Sequence, residues 1–78
     1  MYRNKAVLEA IQRLLATQQM TIEQWEDSLD WPRGTILQSL QPLDKPSINR
    51  NIRLSAAKLG IDLSEFLDLV RTIDEEMG

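Results

Sequence analysis

The chain has 78 residues, of which 42% are hydrophobic and 27% are charged, and it contains neither cysteine nor histidine. These proportions suit one small folded unit with a limited core, so we expect residues 1–78 to form a single domain. The two missing residue types exclude disulfides, thiolate zinc sites and catalysis by cysteine or histidine. We therefore expect a protein that is not an enzyme and that holds no metal and no cofactor.

The expected compartment is the cytoplasm, because small secreted domains usually depend on disulfides. No apolar run approaches the roughly 20 residues of a membrane span. No apolar block of the kind found in signal peptides follows the N-terminus. We therefore expect no membrane among the partners of this protein.

The net charge is −3, but the charges are unevenly distributed along the chain. Residues 1–32 carry three basic and five acidic side chains, residues 33–58 carry five and one, and residues 59–78 carry one and six. A cationic middle between acidic ends is a distribution that a phosphate backbone can recognise, although a mixed solvated surface gives the same counts. The middle segment is therefore where nucleic-acid contacts are expected.

Two helices are predicted in the first 30 residues. Apolar residues recur at three- and four-residue spacing over Val7–Leu15, which predicts an amphipathic helix from about residue 4 to residue 18. Thr21 and Gln24 have the spacing of a capping box, so a second short helix should start there and end near Asp30. Its apolar stripe should face the core: Ile22, Trp25 and Leu29.

A third helix is predicted from about Pro32 to Leu40, because proline fits the first turn, where its missing N–H is no loss. The segment Pro42–Pro46 ends this helix and forms a stiff linker. Ser47 is predicted to cap a fourth helix, which ends at Gly60 in a left-handed conformation. The inner stripe of the fourth helix should consist of Ile48, Ile52, Ala56 and Leu59.

The fifth helix should start at the capping residue Asp62 and continue towards Met77. Its apolar residues span more than one stripe, so we expect one stripe to cover the core while Leu69 and Ile73 remain available to a partner. The acidic run Asp74–Glu76 should fray, because negative charge at a helix C-terminus opposes the helix dipole. Taken together, these patterns predict an all-α bundle of five short helices.

The two short helices around Asp30-Trp31-Pro32 are the feature that points to a function. Two helices joined by a turn of three or four residues form a helix-turn-helix, whose second helix enters the major groove of DNA. The outward face of the predicted third helix offers Arg33, Gly34 and Gln38. Arginine can bond guanine O6 and N7 together, and glutamine can bond adenine N6 and N7 in the same way. Leu37 should also point outward, towards a thymine methyl group or a protein partner.

Residues 10–67 carry several motifs at a recognisable spacing. They are Ile11-x-x-Leu14, Met20-Thr21-x-Glu23-Gln24-Trp25, Leu29, Arg33-x-Thr35-Ile36, the linker to Pro46-Ser47, and the segment from Leu59 to Leu67. In this pattern the chain resembles the Cro/phage-repressor-type helix-turn-helix family, also called XRE-like. The resemblance implies a lambda-repressor-like fold that binds double-stranded DNA as a homodimer, with bases facing the positions of Arg33, Gly34 and Gln38.

The expected function is therefore that of a small sequence-specific DNA-binding transcriptional regulator. Three residues that follow the reading helix are placed to contact the phosphate backbone: Lys45, Ser47 and Arg50. The candidate DNA-binding residues are Arg33, Gly34, Thr35, Gln38, Lys45, Ser47 and Arg50. In a symmetric dimer, two reading helices would lie one turn of DNA apart, about 34 Å.

An alternative is a helical protein–protein interaction module, such as an adaptor, an antitoxin-like protein or an anti-factor, that keeps the fold without binding DNA. Glu26, Asp27 and Asp30 motivate this alternative, because acidic groups near the presumed DNA face repel phosphate. The partner protein would then bind through Leu37 or the C-terminal helix. A hydrolase is the least favoured hypothesis, because a pair of carboxylates also needs a deep pocket.

Overall fold

The structure, a computed structural model, describes residues 2–78, and over these residues the chain forms five α-helices. They are α1 (Asn4–Ala16), α2 (Ile22–Ser28), α3 (Thr35–Ser39), α4 (Asn49–Leu59) and α5 (Leu63–Met77). The only β-type pairing in the described part is an isolated antiparallel bridge between Arg3 and Pro46. The predicted all-α bundle is thus confirmed. Within the same residues, no helix has the length and apolar character that crossing a bilayer requires.

The hydrophobic core is built mainly on α1 and α5, which pack against each other. The stripe Phe66, Val70 and Ile73 of α5 is completely buried. The prediction that Ile73 stays available to a partner is therefore wrong, because the four- and three-residue steps of this stripe turn its side chain into the core. Leu69 lies beside the stripe and is only partly buried.

The acidic end of α5 is helical as far as Met77, so the predicted fraying of Asp74–Glu76 is wrong. Two arginines at the other end of the chain explain this order. Arg3 forms an ion pair with Asp74 at 2.6 Å, and Arg13 of α1 forms one with Glu76 at 3.4 Å. These cations offset the unfavourable interaction between the acidic run and the helix dipole.

Three predicted helix ends are confirmed. Thr21 and Gln24 form a reciprocal capping box at the start of α2. The side chain of Asp62 accepts a hydrogen bond from the amide of Ser64 at the start of α5. Gly60 ends α4 with a φ of 72°, in the left-handed region that glycine adopts readily.

The predicted start of α4 is wrong. Its N-cap is Ile48 and not Ser47, and no side chain caps the helix. Ser47 is instead 3% exposed, and its amide donates to the carbonyl of Tyr2 at 2.6 Å, so the N-terminal segment draws this residue into the interior. Ile48, predicted to face inward, is 60% exposed because the N-cap lies outside the register of the helix.

Candidate nucleic-acid interface

The two short helices α2 and α3 are joined by residues 29–34, a turn longer than the three or four residues expected. Asp30 adopts a left-handed conformation with a φ of 58°. The predicted helix start at Pro32 is wrong, because Gly34 has a φ of 91° and serves as the N-cap of α3. A residue with positive φ cannot continue a right-handed helix, so only Thr35–Ser39 are helical.

The short helix α3 has a buried side and an exposed side. Ile36 and Leu40 are 5% and 2% exposed and anchor the helix in the core. Leu37 is 44% exposed and Gln38 is exposed as well, so the prediction that Leu37 points outward is confirmed. The helix therefore presents Leu37 and Gln38 to solvent from a firmly anchored backbone.

Glu26 of α2 is buried beneath the turn, with only 1% of its surface exposed. Its carboxylate accepts hydrogen bonds from the amide of Gly34 at 3.1 Å and from the amide of Ile36 at 2.9 Å. Glu26 is therefore a buried support of the turn and not an exposed acidic group of this surface. The sequence indicates this burial: Glu26 follows Ile22 by four residues, which places it next to the apolar stripe of α2.

Arg33 lies on the surface and pairs with Asp27 of α2, with 3.1 Å between Nη2 and Oδ2. The hydrogen bond and the negative charge of Asp27 raise the pKa of the Arg33 guanidinium above its ordinary value. A guanidinium has five N–H donors, so this single bond leaves most of them free for another acceptor. The pairing across the turn was not predicted from the sequence.

Gly34 and Thr35, two other candidate residues, help to build the turn. The amide of Gly34 is already bonded to Glu26, and the hydroxyl of Thr35 donates to the carbonyl of Pro32 at 2.5 Å. Both residues are only partly exposed. Their placement makes them supports of α3, with their main polar donors already in use.

The cations that follow α3 are exposed. Among residues 2–78, no carboxylate lies within ion-pair distance of Lys45, Arg50 or Arg53. The side chain of Asn51 donates to the carbonyl of Ser39 at 3.0 Å, which ties the start of α4, and Arg50 with it, to the end of α3. Ser47 does not belong to this surface, because it is buried. Arg53 is a further exposed cation, which was not among the predicted DNA-binding residues.

A groove of about 440 Å³ lies between α1, α2 and α3. Its apolar lining includes Leu8, Met20, Ile22 and Leu37, and Glu23 and Glu26 also line it. Leu37 belongs to both the groove and the exposed side of α3. The exposed side of α3 therefore offers the apolar side chain of Leu37 beside the polar side chain of Gln38.

Comparisons of the chain with protein-family models, with curated proteins and with solved structures found no match. The similarity to XRE-like proteins therefore remains a prediction from the sequence motifs.

Proposed function

We propose that this protein is a small sequence-specific DNA-binding regulator that inserts α3 into the major groove of duplex DNA. The observation that carries the proposal is the two-sided character of α3. Ile36 and Leu40 fix the helix in the core, while Leu37 and Gln38 are exposed. Recognition in the major groove requires a helix with polar and apolar side chains that are exposed and not packed in the core.

The charges around α3 also support the proposal. Three nearby acidic groups have partners: Glu26 bonds to two amides, Asp27 pairs with Arg33, and Asp44 pairs with Lys5 at 3.2 Å. Asp30 is exposed in the turn and has no cation within ion-pair distance among residues 2–78. The exposed cations that remain in the middle of the chain are free to neutralise phosphates, which supplies most of the non-specific affinity of DNA-binding proteins. They are Lys45, Arg50, Arg53 and Lys58.

The exposed groups at α3 have the chemistry that base reading needs. The amide of Gln38 can bond adenine through N6 and N7, and Leu37 can contact a thymine methyl group. Arg33 retains donors for guanine O6 and N7 while Asp27 holds one of its nitrogens. These three side chains are the proposed base readers, and the cytoplasm is the compartment proposed for this activity.

The proposed DNA-binding form is a homodimer, because α3 is short. A helix of five residues is about 7 Å long, which spans only about two base pairs of DNA. One protomer would therefore read too few bases to select a site. Two copies of α3 one helical turn apart, about 34 Å, would double the sequence that is read.

Chemical-shift mapping tests this proposal directly. A short mixed-sequence duplex is added to the ¹⁵N-labelled protein at low ionic strength. We expect the amide signals of Leu37, Gln38 and Arg50 to shift, while those of the buried residues Ile11 and Val70 stay in place. Absence of any shift, or shifts restricted to α5, would contradict the proposal.

A second candidate function is a protein-interaction module, favoured by the groove that Leu8, Ile22 and Leu37 line. The carboxylate of Glu23 borders this groove, so its charge complements a basic amphipathic helix of a partner. A model leucine–lysine amphipathic peptide is the probe for this candidate. Shifts at the groove residues with the peptide, together with none with DNA, would favour it over the regulator.

A further inference from the structure

The helix α3 is too short to be stable on its own. Helices below about 12 residues are marginal in water, and α3 has five residues. Its N-cap is Gly34, which has no side chain to accept a hydrogen bond from the first turn. Its helical state must therefore depend on contacts with the rest of the molecule.

Glu26 supplies the missing cap from a different helix. Its two carboxylate oxygens accept from the amides of Gly34 and Ile36, one oxygen for each amide. Hydrogen bonds to an ionised group are about twice as strong as neutral ones. They are strengthened further by burial, and Glu26 is almost fully buried.

No cation stabilises the Glu26 carboxylate within ion-pair distance among residues 2–78. An unpaired buried carboxylate is costly, so the two amides are what make its burial tolerable. The dependence is mutual, because these amides have no other hydrogen-bond partner among the described residues 2–78. The turn and the start of α3 are thus both bonded to one carboxylate of α2.

We infer that Glu26 is the positioning residue of the DNA-reading element: it keeps α3 folded and docked, so that α3 opens as a local unit when the carboxylate is lost. Such an opening withdraws Ile36 and Leu40 from the core but leaves the packing of α1 against α5 intact. The effect on DNA binding rests on the proposed function. The effect on the folding of α3 does not.

Native-state hydrogen exchange of Glu26→Gln tests the folding part. Glutamine has the same shape but only one acceptor oxygen and no charge. The matched control is Glu23→Gln, which removes a charge from the exposed face of the same helix. We expect the amides of Ile36 and Gln38 to exchange about tenfold faster than in the control, with those of α1 and α5 changed less than about twofold.

Two results would overturn the inference: equal acceleration of exchange in all helices, or no acceleration in α3. If Glu26→Gln does not fold, exchange in the unaltered protein provides the test. The α3 amides should then exchange through an opening of lower free energy than the amides of α1 and α5. Exchange of α3 only through global unfolding would contradict the inference.

Affinity for a mixed-sequence duplex tests the second part, again with both variants. Each variant removes one negative charge from α2, so the two variants have the same net charge. Weaker binding by Glu26→Gln than by Glu23→Gln is the expected result, and equal binding would exclude a positioning role in DNA reading. If the exchange result is as expected but the unaltered protein binds no DNA, the proposed function fails while the role of Glu26 in α3 stands.

Discussion

The guanidinium of Arg3 holds both the side chain and the main chain of Asp74. Its Nε donates to Oδ1 at 2.6 Å, and its Nη2 donates to the carbonyl oxygen at 2.8 Å. The side chains of Arg3 and Asp74 are only 25% and 22% exposed, so solvent screens this pair less than it screens a surface ion pair. The contact ties the start of α1 to the last turns of α5.

This pair makes stability depend on pH in one direction. The hydrogen bond from Arg3 lowers the pKa of Asp74 below its ordinary value. A carboxyl group whose folded-state pKa is depressed contributes stability above its unfolded-state pKa of about 4, and this contribution is lost as the pH falls through the folded-state pKa. Asp74→Asn should therefore cost about 1 kcal/mol near pH 7, with a smaller deficit near pH 3.

Urea unfolding at the two pH values measures this deficit. The control is Asp68→Asn, because Asp68 forms an exposed pair with Arg71 within α5. The control should change stability little at either pH. An Asp74→Asn deficit that is the same at both pH values would show that the ionised pair is not its source.

The difference in burial predicts that the same substitution will affect stability strongly at one leucine and weakly at another. Leu15 is 1% exposed, so Leu15→Ala should lower the free energy of unfolding by about 2–5 kcal/mol. Leu37 is 44% exposed, and Leu37→Ala should change it by less than about 0.5 kcal/mol. Thermal unfolding compares the two, and similar losses in both would mean that Leu37 is packed in the core.

The turn before α3 contains two left-handed residues that should respond in opposite ways. An added Cβ at Gly34 would meet nothing within 4 Å, so Gly34→Ala should cost only the strain of its positive φ, about 1–2 kcal/mol. Asp30 already has a positive φ and the strain that comes with it, so Asp30→Gly should be neutral or stabilising. Urea midpoints of both variants test these two left-handed conformations, and a stabilised Gly34→Ala would contradict that of Gly34.

Two arginines should affect DNA binding in different ways. Arg33→Ala should weaken binding to a sequence selected from random duplexes by about tenfold or more, because a base contact is lost. Arg50→Gln should weaken binding to all sequences alike and reduce the salt slope by about one. Arg71→Gln is the control, because Arg71 lies on α5, outside the cationic middle of the chain. Equal loss on all sequences for Arg33→Ala would exclude base reading by Arg33.

The features predicted correctly from the sequence are those whose partners lie close along the chain. The capping box joins Thr21 to Gln24, and the cap at Asp62 reaches only to Ser64. The left-handed end at Gly60 uses only the nearby carbonyls of Ala56 and Ala57. Local spacing and residue type are sufficient in such cases, and the amphipathic stripes then give the helix count.

Two of the errors have the opposite origin, because they depend on a partner that is distant in sequence or lies across a turn. Ser47 is of a residue type that often caps helices, but its hydrogen bond to Tyr2 holds it in the interior. Glu26 is of a residue type that usually lies on the surface, yet it bonds to amides at the start of the next helix. For the candidate site, the exposure of Leu37 followed from helical spacing, whereas the pairing of Arg33 with Asp27 required the geometry of the turn.

The salt dependence of binding to a fluorescently labelled mixed-sequence duplex is the measurement that tests DNA binding most directly. We expect fluorescence anisotropy to show binding at low ionic strength that falls steeply as salt is added. Contacts from Lys45, Arg50 and Arg53 alone correspond to a slope of log K against log salt of about −3 per protomer. Absence of binding at the lowest ionic strength, or binding that does not depend on salt, would contradict the proposal that this protein binds DNA.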